Sequence, residues 1–153
     1  MSQIRITKEF RFEMAHALLG YDGLCSNIHG HSYRLSVTLK GKVIDDDSNP
    51  KNGMVMDFGE LKNIVKKEII DIFDHSLVLN ETTPGRDNIT AHPLFEKVIF
   101  LPYQPTCENM LSDFAMRIAK CLPSNITLYS LNLRETNNSY AEWFAEDNKE
   151  LNF

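Results

Sequence analysis

Three histidines near the start of the chain, His16, His29 and His31, have the spacing of a metal site. His29 and His31 are two residues apart at the start of a predicted strand, so both imidazoles project from the same face of it. His16 ends the preceding predicted strand and can approach from beside them. Three histidines without a thiolate leave a fourth tetrahedral position for water or substrate, which is typical of catalytic zinc. A His-x-His pair alone is as often ordinary structure, but the third histidine favours zinc.

Three further residues are candidates for moving protons. Cys25 lies four residues before His29 in a predicted loop, where it could be a fourth zinc ligand or stand beside the metal as an acid/base. Asp74 and His75 directly follow the first predicted helix, and an adjacent carboxylate can orient an imidazole and raise its basicity. The pair also has a structural explanation, because a histidine at a helix C-terminus complements the helix dipole. Both alternatives stay open on the pattern alone.

Two carboxylates at the ends of predicted elements are candidates for ligand binding. Glu135 follows a predicted strand and could accept two parallel hydrogen bonds from the N–H and NH₂ of an aminopyrimidine, although a solvated acid would show the same pattern. Glu108 lies in the first turn of the second predicted helix, where the dipole alone favours an acid. Ordinary structural roles explain Cys107, Cys121 and His92.

The composition predicts one soluble globular domain over residues 1–153. The chain is 42% hydrophobic and 24% charged, which is typical of globular proteins. Its 16 basic and 21 acidic residues give a net charge of −5, which argues against binding nucleic acid through phosphate neutralisation. The first ten residues lack the apolar core of a signal peptide or membrane span, so we expect a cytoplasmic protein without a membrane partner. The odd number of cysteines predicts free thiols.

The hydrophobic pattern predicts an α+β domain in the order β-β-α-α-β-β, with both amphipathic helices covering one sheet face. The first helix follows a helical spacing of apolar residues, and Thr106 can cap the second. A long polar stretch at about 80–104 predicts an insertion or flexible loop. The predicted strands span residues 4–12, 31–43, 126–133 and 140–144, and the predicted helices span 58–73 and 106–122.

Six motifs, in order along nearly the whole chain, resemble the 6-pyruvoyltetrahydropterin synthase and 6-carboxytetrahydropterin synthase family. They are FEMAH (12–16), CSNIHGHSY (25–33), GMVMDFGELK (53–62), FDHSLVLN (73–80), PTCEN (105–109) and RET (134–136). The resemblance implies the tunnelling fold (T-fold), a four-stranded antiparallel sheet with two helices on one side. It also implies homo-oligomers, trimers that pair into hexamers, with active sites between subunits.

The same resemblance implies a role for each candidate residue. Zinc would be bound by His16, His29 and His31, the acid/base set would be Cys25, Asp74 and His75, and Glu135 would anchor a pterin with help from Thr106 and Glu108. Departures from the family pattern are Met14, where a small residue is common, the long stretch at 80–104, and the acidic tail after Phe144. None of them replaces a proposed catalytic residue.

Spacing within the family indicates the reaction. Three residues separate Cys25 from the HGH motif, as in the carboxy enzymes of queuosine (7-deazaguanine) biosynthesis, and Asp57 also resembles that group. The implied reaction converts 7,8-dihydroneopterin triphosphate to 6-carboxy-5,6,7,8-tetrahydropterin with loss of triphosphate and acetaldehyde, which makes the protein a carbon–carbon lyase. One alternative is the pyruvoyl synthase, a carbon–oxygen lyase that eliminates triphosphate without releasing acetaldehyde. Another is a non-catalytic pterin-binding T-fold protein. The scattered lysines and arginines do not indicate which cations would hold the triphosphate.

Overall fold

Six strands and four helices make up the part of the chain that the computed structural model describes, residues 2–150. The predicted domain limits at residue 1 and residues 151–153 lie outside the described residues. In chain order the elements are β1 (Gln3–His16), β2 (His29–Lys42), α1 (Phe58–Val65), a π-helical turn (Lys66–Ile70), α2 (Asp71–Phe73), β3 (Ser76–Asn80), α3 (Arg86–Ala91), β4 (Val98–Leu101), α4 (Cys107–Ala119), β5 (Ile126–Arg134) and β6 (Tyr140–Phe144).

The strands form one sheet in the order β4-β3-β1-β2-β5-β6. β1 and β2 pair antiparallel along their whole lengths, which places His16 directly opposite His29. β5 and β6 continue the antiparallel arrangement on the far side of β2. These four strands are the ones that the sequence predicts.

The strand count differs from the prediction, because β3 and β4 add two parallel strands beyond β1. The apolar run Ser76–Leu79 is buried, and a short continuous apolar run has no alternation by which a strand is recognised. The segment 80–104 was expected to be an insertion or flexible loop. The loop interpretation is wrong for part of it, since the segment contains α3 and β4.

The helices α1 and α4 cover one face of the sheet and tie the strand ends to the core. The stacked rings of Phe12 and Tyr33 lie 5.1 Å apart between centroids, and Phe114 of α4 packs edge-on against Phe12 and Phe73 at 6.3 and 5.0 Å. The Thr106 hydroxyl accepts a hydrogen bond from the Asn109 amide at 3.3 Å, which confirms the predicted cap of α4. These aromatic contacts pack β1 and β2 against α4 near the three histidines.

The two faces of the sheet differ in chemistry. Side chains alternate along a strand, so Phe12, Met14 and Tyr33 lie on the buried inner face, under the helices. Glu13 and Ser32 lie on the outer face and are exposed. Within residues 2–150, no helix is both long enough and apolar enough to cross a membrane.

Candidate metal centre and its surroundings

The three predicted histidine ligands converge on the inner face at one end of the sheet. His16 ends β1, His29 begins β2 opposite it, and His31 follows on the same face. Their ligand nitrogens all lie within 4.8 Å of one another, and the Nε2 atoms of His16 and His29 are 3.1 Å apart. The cluster could therefore bind a metal ion.

Backbone carbonyls hold the far nitrogens of two of these rings. His16 Nδ1 lies 2.7 Å from the Pro105 carbonyl oxygen, and His29 Nδ1 lies 2.8 Å from that of Asn27. Because a carbonyl can only accept, each Nδ1 donates its proton and each Nε2 keeps its lone pair for a metal. Neither carbonyl was identified from the sequence.

Burial disfavours the protonated form of two of these imidazoles. Burial lowers the pKa of His16 below its ordinary value, and burial likewise lowers the pKa of His31. The His16 side chain is only 3% exposed. Since metal binding requires unprotonated imidazoles, the chemistry of this donor set fits zinc.

Glu135 lies at the mouth of the cluster. Its Oε1 accepts a hydrogen bond from the Tyr33 hydroxyl at 3.0 Å and lies 3.4 Å from His16 Nε2 and 3.5 Å from His31 Nε2. Burial, with the adjacent Glu135 carboxylate, raises the pKa of Tyr33 well above its usual value, so the hydroxyl stays protonated and donates. Tyr33 was missed from the sequence, although its place two residues after His31 on one strand face could have indicated it.

Cys25 lies on the same side of the sheet as the cluster. It is half-buried in the short helical turn Leu24–Ser26, and its charge is one of the influences that raise the pKa of Tyr33. Among the described residues, the group of converging ligand atoms contains the three histidines and not Cys25. This arrangement suits an acid/base beside the metal better than a fourth ligand.

Asp74 and His75 form a tight pair just after α2. His75 Nδ1 lies 3.0 Å from Asp74 Oδ1, and the Glu13 amide donates to the same oxygen at 2.8 Å. Burial acts to raise the pKa of Asp74, but the hydrogen bonds from Glu13 and His75 outweigh it and hold that pKa below its usual value. His75 has a left-handed backbone with φ 58°, which is uncommon for a residue with a side chain.

His75 of this pair is not among the converging ligand atoms of the cluster. The His75 side chain is 78% exposed and lines a cavity of about 840 Å³ with Glu13, Ser32 and residues 93–97. His31 also lines this cavity, so it reaches one histidine of the cluster as well as the outer-face residues Glu13 and Ser32. The chain thus brings Glu135 beside His16 and His31, whereas His75 is outside the group of converging ligand atoms.

Lys97, the residue before β4, binds the backbone next to this pair. Lys97 Nζ donates to the backbone carbonyls of Asp71 and Asp74 at 2.9 and 2.6 Å. These carbonyls end the helical stretch and would otherwise lack partners. No local pattern could have identified this contact, since 23 residues separate Lys97 from Asp74.

The two remaining predicted ligand-binding residues lie near the start of α4. Thr106 caps the helix and follows Pro105, whose carbonyl holds His16. Glu108 is exposed and lines a separate cavity of about 260 Å³ with Trp143. Cys107 has the ordinary role expected of it, since its thiol donates to the Leu133 carbonyl at 3.2 Å and burial raises its pKa to about 12.

Solved structures with the same fold define the class of protein. The 6-pyruvoyl tetrahydropterin synthase of Plasmodium falciparum matches with a TM-score of 0.69 at 22% identity, over 94% of this chain and 98% of that one. The Caenorhabditis elegans enzyme of the same name matches with a TM-score of 0.66 at 23% identity, over 94% and 96% of the two chains. At these identities the likeness establishes the fold, which confirms the predicted α+β T-fold. The protein is a T-fold protein with a histidine cluster that could bind a metal ion.

The sequence comparisons identify the family. The profile of the family described as 6-pyruvoyl tetrahydropterin synthase matches residues 5–146. The 6-carboxy-5,6,7,8-tetrahydropterin synthase of Haemophilus influenzae is 36% identical over 91% of this chain and 97% of its own length. That of Rickettsia felis is 30% identical over 91% and 99%. The chain belongs to the 6-pyruvoyl tetrahydropterin synthase family, as the motifs predict.

Proposed function

We propose that the protein is a zinc-dependent 6-carboxy-5,6,7,8-tetrahydropterin synthase, a cytoplasmic carbon–carbon lyase of queuosine biosynthesis. Its substrate is 7,8-dihydroneopterin triphosphate, and it releases acetaldehyde and triphosphate. The observation that carries the proposal is the cluster of three converging imidazoles with the Glu135 carboxylate at its mouth. The names of the Haemophilus and Rickettsia relatives support the carboxy product.

The inner face of the sheet provides the binding half of the site. His16, His29 and His31 would hold the zinc ion through their Nε2 atoms. When bound, zinc would act as a Lewis acid that lowers the pKa of the substrate's side-chain hydroxyls. Glu135 would accept the N–H and NH₂ of the pterin edge and so orient the ring, with Thr106 and Glu108 assisting.

The proton transfers are assigned to Cys25 and to the Asp74–His75 pair. Cys25 lies beside the cluster, where its thiolate would move a proton at the substrate's side-chain carbon. Asp74 accepts the His75 Nδ1 proton and leaves Nε2 to act as acid or base. With its side chain 78% exposed, His75 would serve the histidine cluster of a neighbouring copy.

Two strand edges support such an assembly. β1 pairs with β3 only through Met14, Ala15 and His16, so within residues 2–150 the rest of that edge of β1 has no neighbouring strand. β6 is the last strand at the other end of the sheet. Unpaired edges of this length favour strand pairing between copies, and we propose closed trimers that pair into a hexamer.

The test is product analysis with the zinc-loaded protein and 7,8-dihydroneopterin triphosphate. Mass spectrometry should identify 6-carboxy-5,6,7,8-tetrahydropterin, and a coupled alcohol dehydrogenase assay should detect acetaldehyde. Turnover without acetaldehyde would instead identify the pyruvoyl synthase, and inert zinc-loaded protein would identify a non-catalytic pterin binder. Cys25→Ala should keep its zinc and lose turnover, and full turnover would refute the acid/base assignment.

A further inference from the structure

Three arginines lie side by side across the outer face of the sheet. Arg11 of β1 is directly opposite Arg34 of β2, and Arg34 is directly opposite Arg134 of β5. Side chains paired in this way have Cβ atoms about 5 Å apart, and like charges at that distance destabilise a sheet. The row is therefore unfavourable for folding unless an anion binds to it.

Two carboxylates of β1 lie near the row without forming ion pairs to it. Glu9 and Glu13 flank Arg11 two residues away on the same face of β1, where they accept hydrogen bonds from Ser36 and Ser32 at 3.4 and 2.7 Å. In the described part of the chain, Arg11, Arg34 and Arg134 form no ion pair. All three guanidinium groups therefore lack a paired carboxylate.

Arg134 is held in a fixed orientation. Its Nη1 donates to the Asn137 carbonyl at 2.9 Å, and its guanidinium carbon lies over the Tyr140 ring, 4.4 Å from the ring centroid. A guanidinium has five N–H donors, so most of them are left for a ligand. The adjacent Glu135 carboxylate is turned towards Tyr33 and the histidines, and does not occupy them.

A cavity joins these arginines to the histidine site. Arg34 and Arg134 line a space of about 280 Å³ together with His31 and Glu135. The pairing of β5 with β2 ends at Arg34 and Arg134, so the sheet is open beyond them. Arg34 comes three positions after His31 on β2, a rise of about 10 Å at the usual spacing. One extended ligand could contact both groups.

We propose that Arg34 and Arg134 bind the polyphosphate chain of a ligand whose other end occupies the histidine site, with Arg11 extending the row. The planar guanidinium forks match phosphate oxygens in pairs. Resting on the proposed function, the ligand is the pterin substrate and the chain is its triphosphate. Inorganic triphosphate offers the same chemistry without the pterin.

Calorimetric titration of the zinc-loaded protein with inorganic triphosphate tests the site without any need for catalysis. Arg34→Met and Arg134→Met should each weaken binding about tenfold, and the double variant more, because hydrogen bonds to charged groups are lost. Arg5→Met is the matched control, since Arg5 also lies on the outer face of β1 but stacks over Tyr129 at 4.0 Å. It should bind triphosphate like the unmodified protein.

Thermal melts give an independent reading. Arg34→Met should not lower the melting temperature in phosphate-free buffer, because it relieves repulsion. Triphosphate should raise the melting temperature of the unmodified protein and not that of the double variant. Equal triphosphate affinity in the unmodified protein and the double variant, or equal affinity for orthophosphate and triphosphate, would overturn the proposal.

Kinetics separate this proposal from the proposed function. The double variant should show a raised KM for 7,8-dihydroneopterin triphosphate, while its affinity for unphosphorylated neopterin and its zinc content stay unchanged. Normal turnover with an unchanged KM in the double variant would overturn the arginine site and leave the proposed function standing. Arginine-dependent triphosphate binding by a protein inert towards the pterin would support the site and refute the proposed function.

Discussion

The histidine cluster and the Asp74–His75 pair are the two parts of the proposed site, and they differ in their exposure to solvent. The cluster is inside, with His16 only 3% exposed and its rings held by carbonyls. The pair is outside, with the His75 side chain 78% exposed on a residue with positive φ. They share one feature: in both, an imidazole Nδ1 donates a hydrogen bond to an oxygen atom of the protein.

The difference in exposure fits two different roles, metal binding for the cluster and proton transfer for the pair. A set of converging imidazole nitrogens, with one ring deeply buried and two rings held by carbonyls, is suited to hold an ion without rearrangement. An exposed imidazole that is oriented by a carboxylate is suited to complete a site elsewhere. The three predictions that follow test this contrast, from the largest expected effect to the smallest.

Replacing His16 by alanine should remove the metal site. With one of three ligands gone, zinc measured by plasma mass spectrometry should fall from about one ion per chain to a trace. Chelation should lower the melting temperature of the unmodified protein but not that of the variant. His92→Ala, an exposed histidine outside the cluster, is the control and should retain zinc. Equal zinc content in His16→Ala would contradict the assignment.

Mixing two inactive variants should restore activity if the Cys25 and the His75 of one active site come from different copies of the chain. Cys25→Ala and His75→Ala should each lose turnover while keeping zinc. After the two are dissociated and reassembled together, some sites combine an intact Cys25 with an intact His75 from a neighbour. Activity should then reappear, measured as product formation. A mixture of Cys25→Ala with the Cys25→Ala, His75→Ala double variant is the control and should stay inactive. Full activity of His75→Ala alone would remove His75 from the mechanism.

Asp74→Asn should make stability less sensitive to acid. The pKa of Asp74 is held below its ordinary value in the folded protein, so its ionised form stabilises the fold at neutral pH. That contribution is lost as the pH falls below about 4 and through the lowered pKa. The urea midpoint should therefore drop less between pH 7 and acid in the variant. Asp22→Asn, which removes an exposed carboxylate, should behave like the unmodified protein, and an equal drop in Asp74→Asn would contradict the role of these hydrogen bonds.

Much of the fold was predictable because its signals are local. β6 has the predicted bounds, and the Thr106 cap lies where the sequence predicts it. β3 was missed because its buried apolar run has no alternation, and β4 because it is short and follows a polar segment. Both are recognisable as strands only once β1 is beside them.

The candidate site shows the same limit. The convergence of His29 and His31 follows from strand alternation, and His16 follows from the antiparallel pairing of β1 with β2. Tyr33 has the same alternation, but its hydrogen bond to Glu135 spans 102 residues. The arginine row likewise requires the register of three strands, which no single stretch of sequence contains.

The sequence by itself determined which residues can do chemistry and which of them share a strand face, because backbone geometry makes side chains alternate wherever the strand lies. Only the tertiary structure decided that the Pro105 carbonyl, 89 residues from His16, holds that ring. It also decided that Asp74 and His75 are outside the group of converging ligand atoms. Strand order and register arise from packing of the whole chain, and a local pattern carries no information about which face a distant segment reaches.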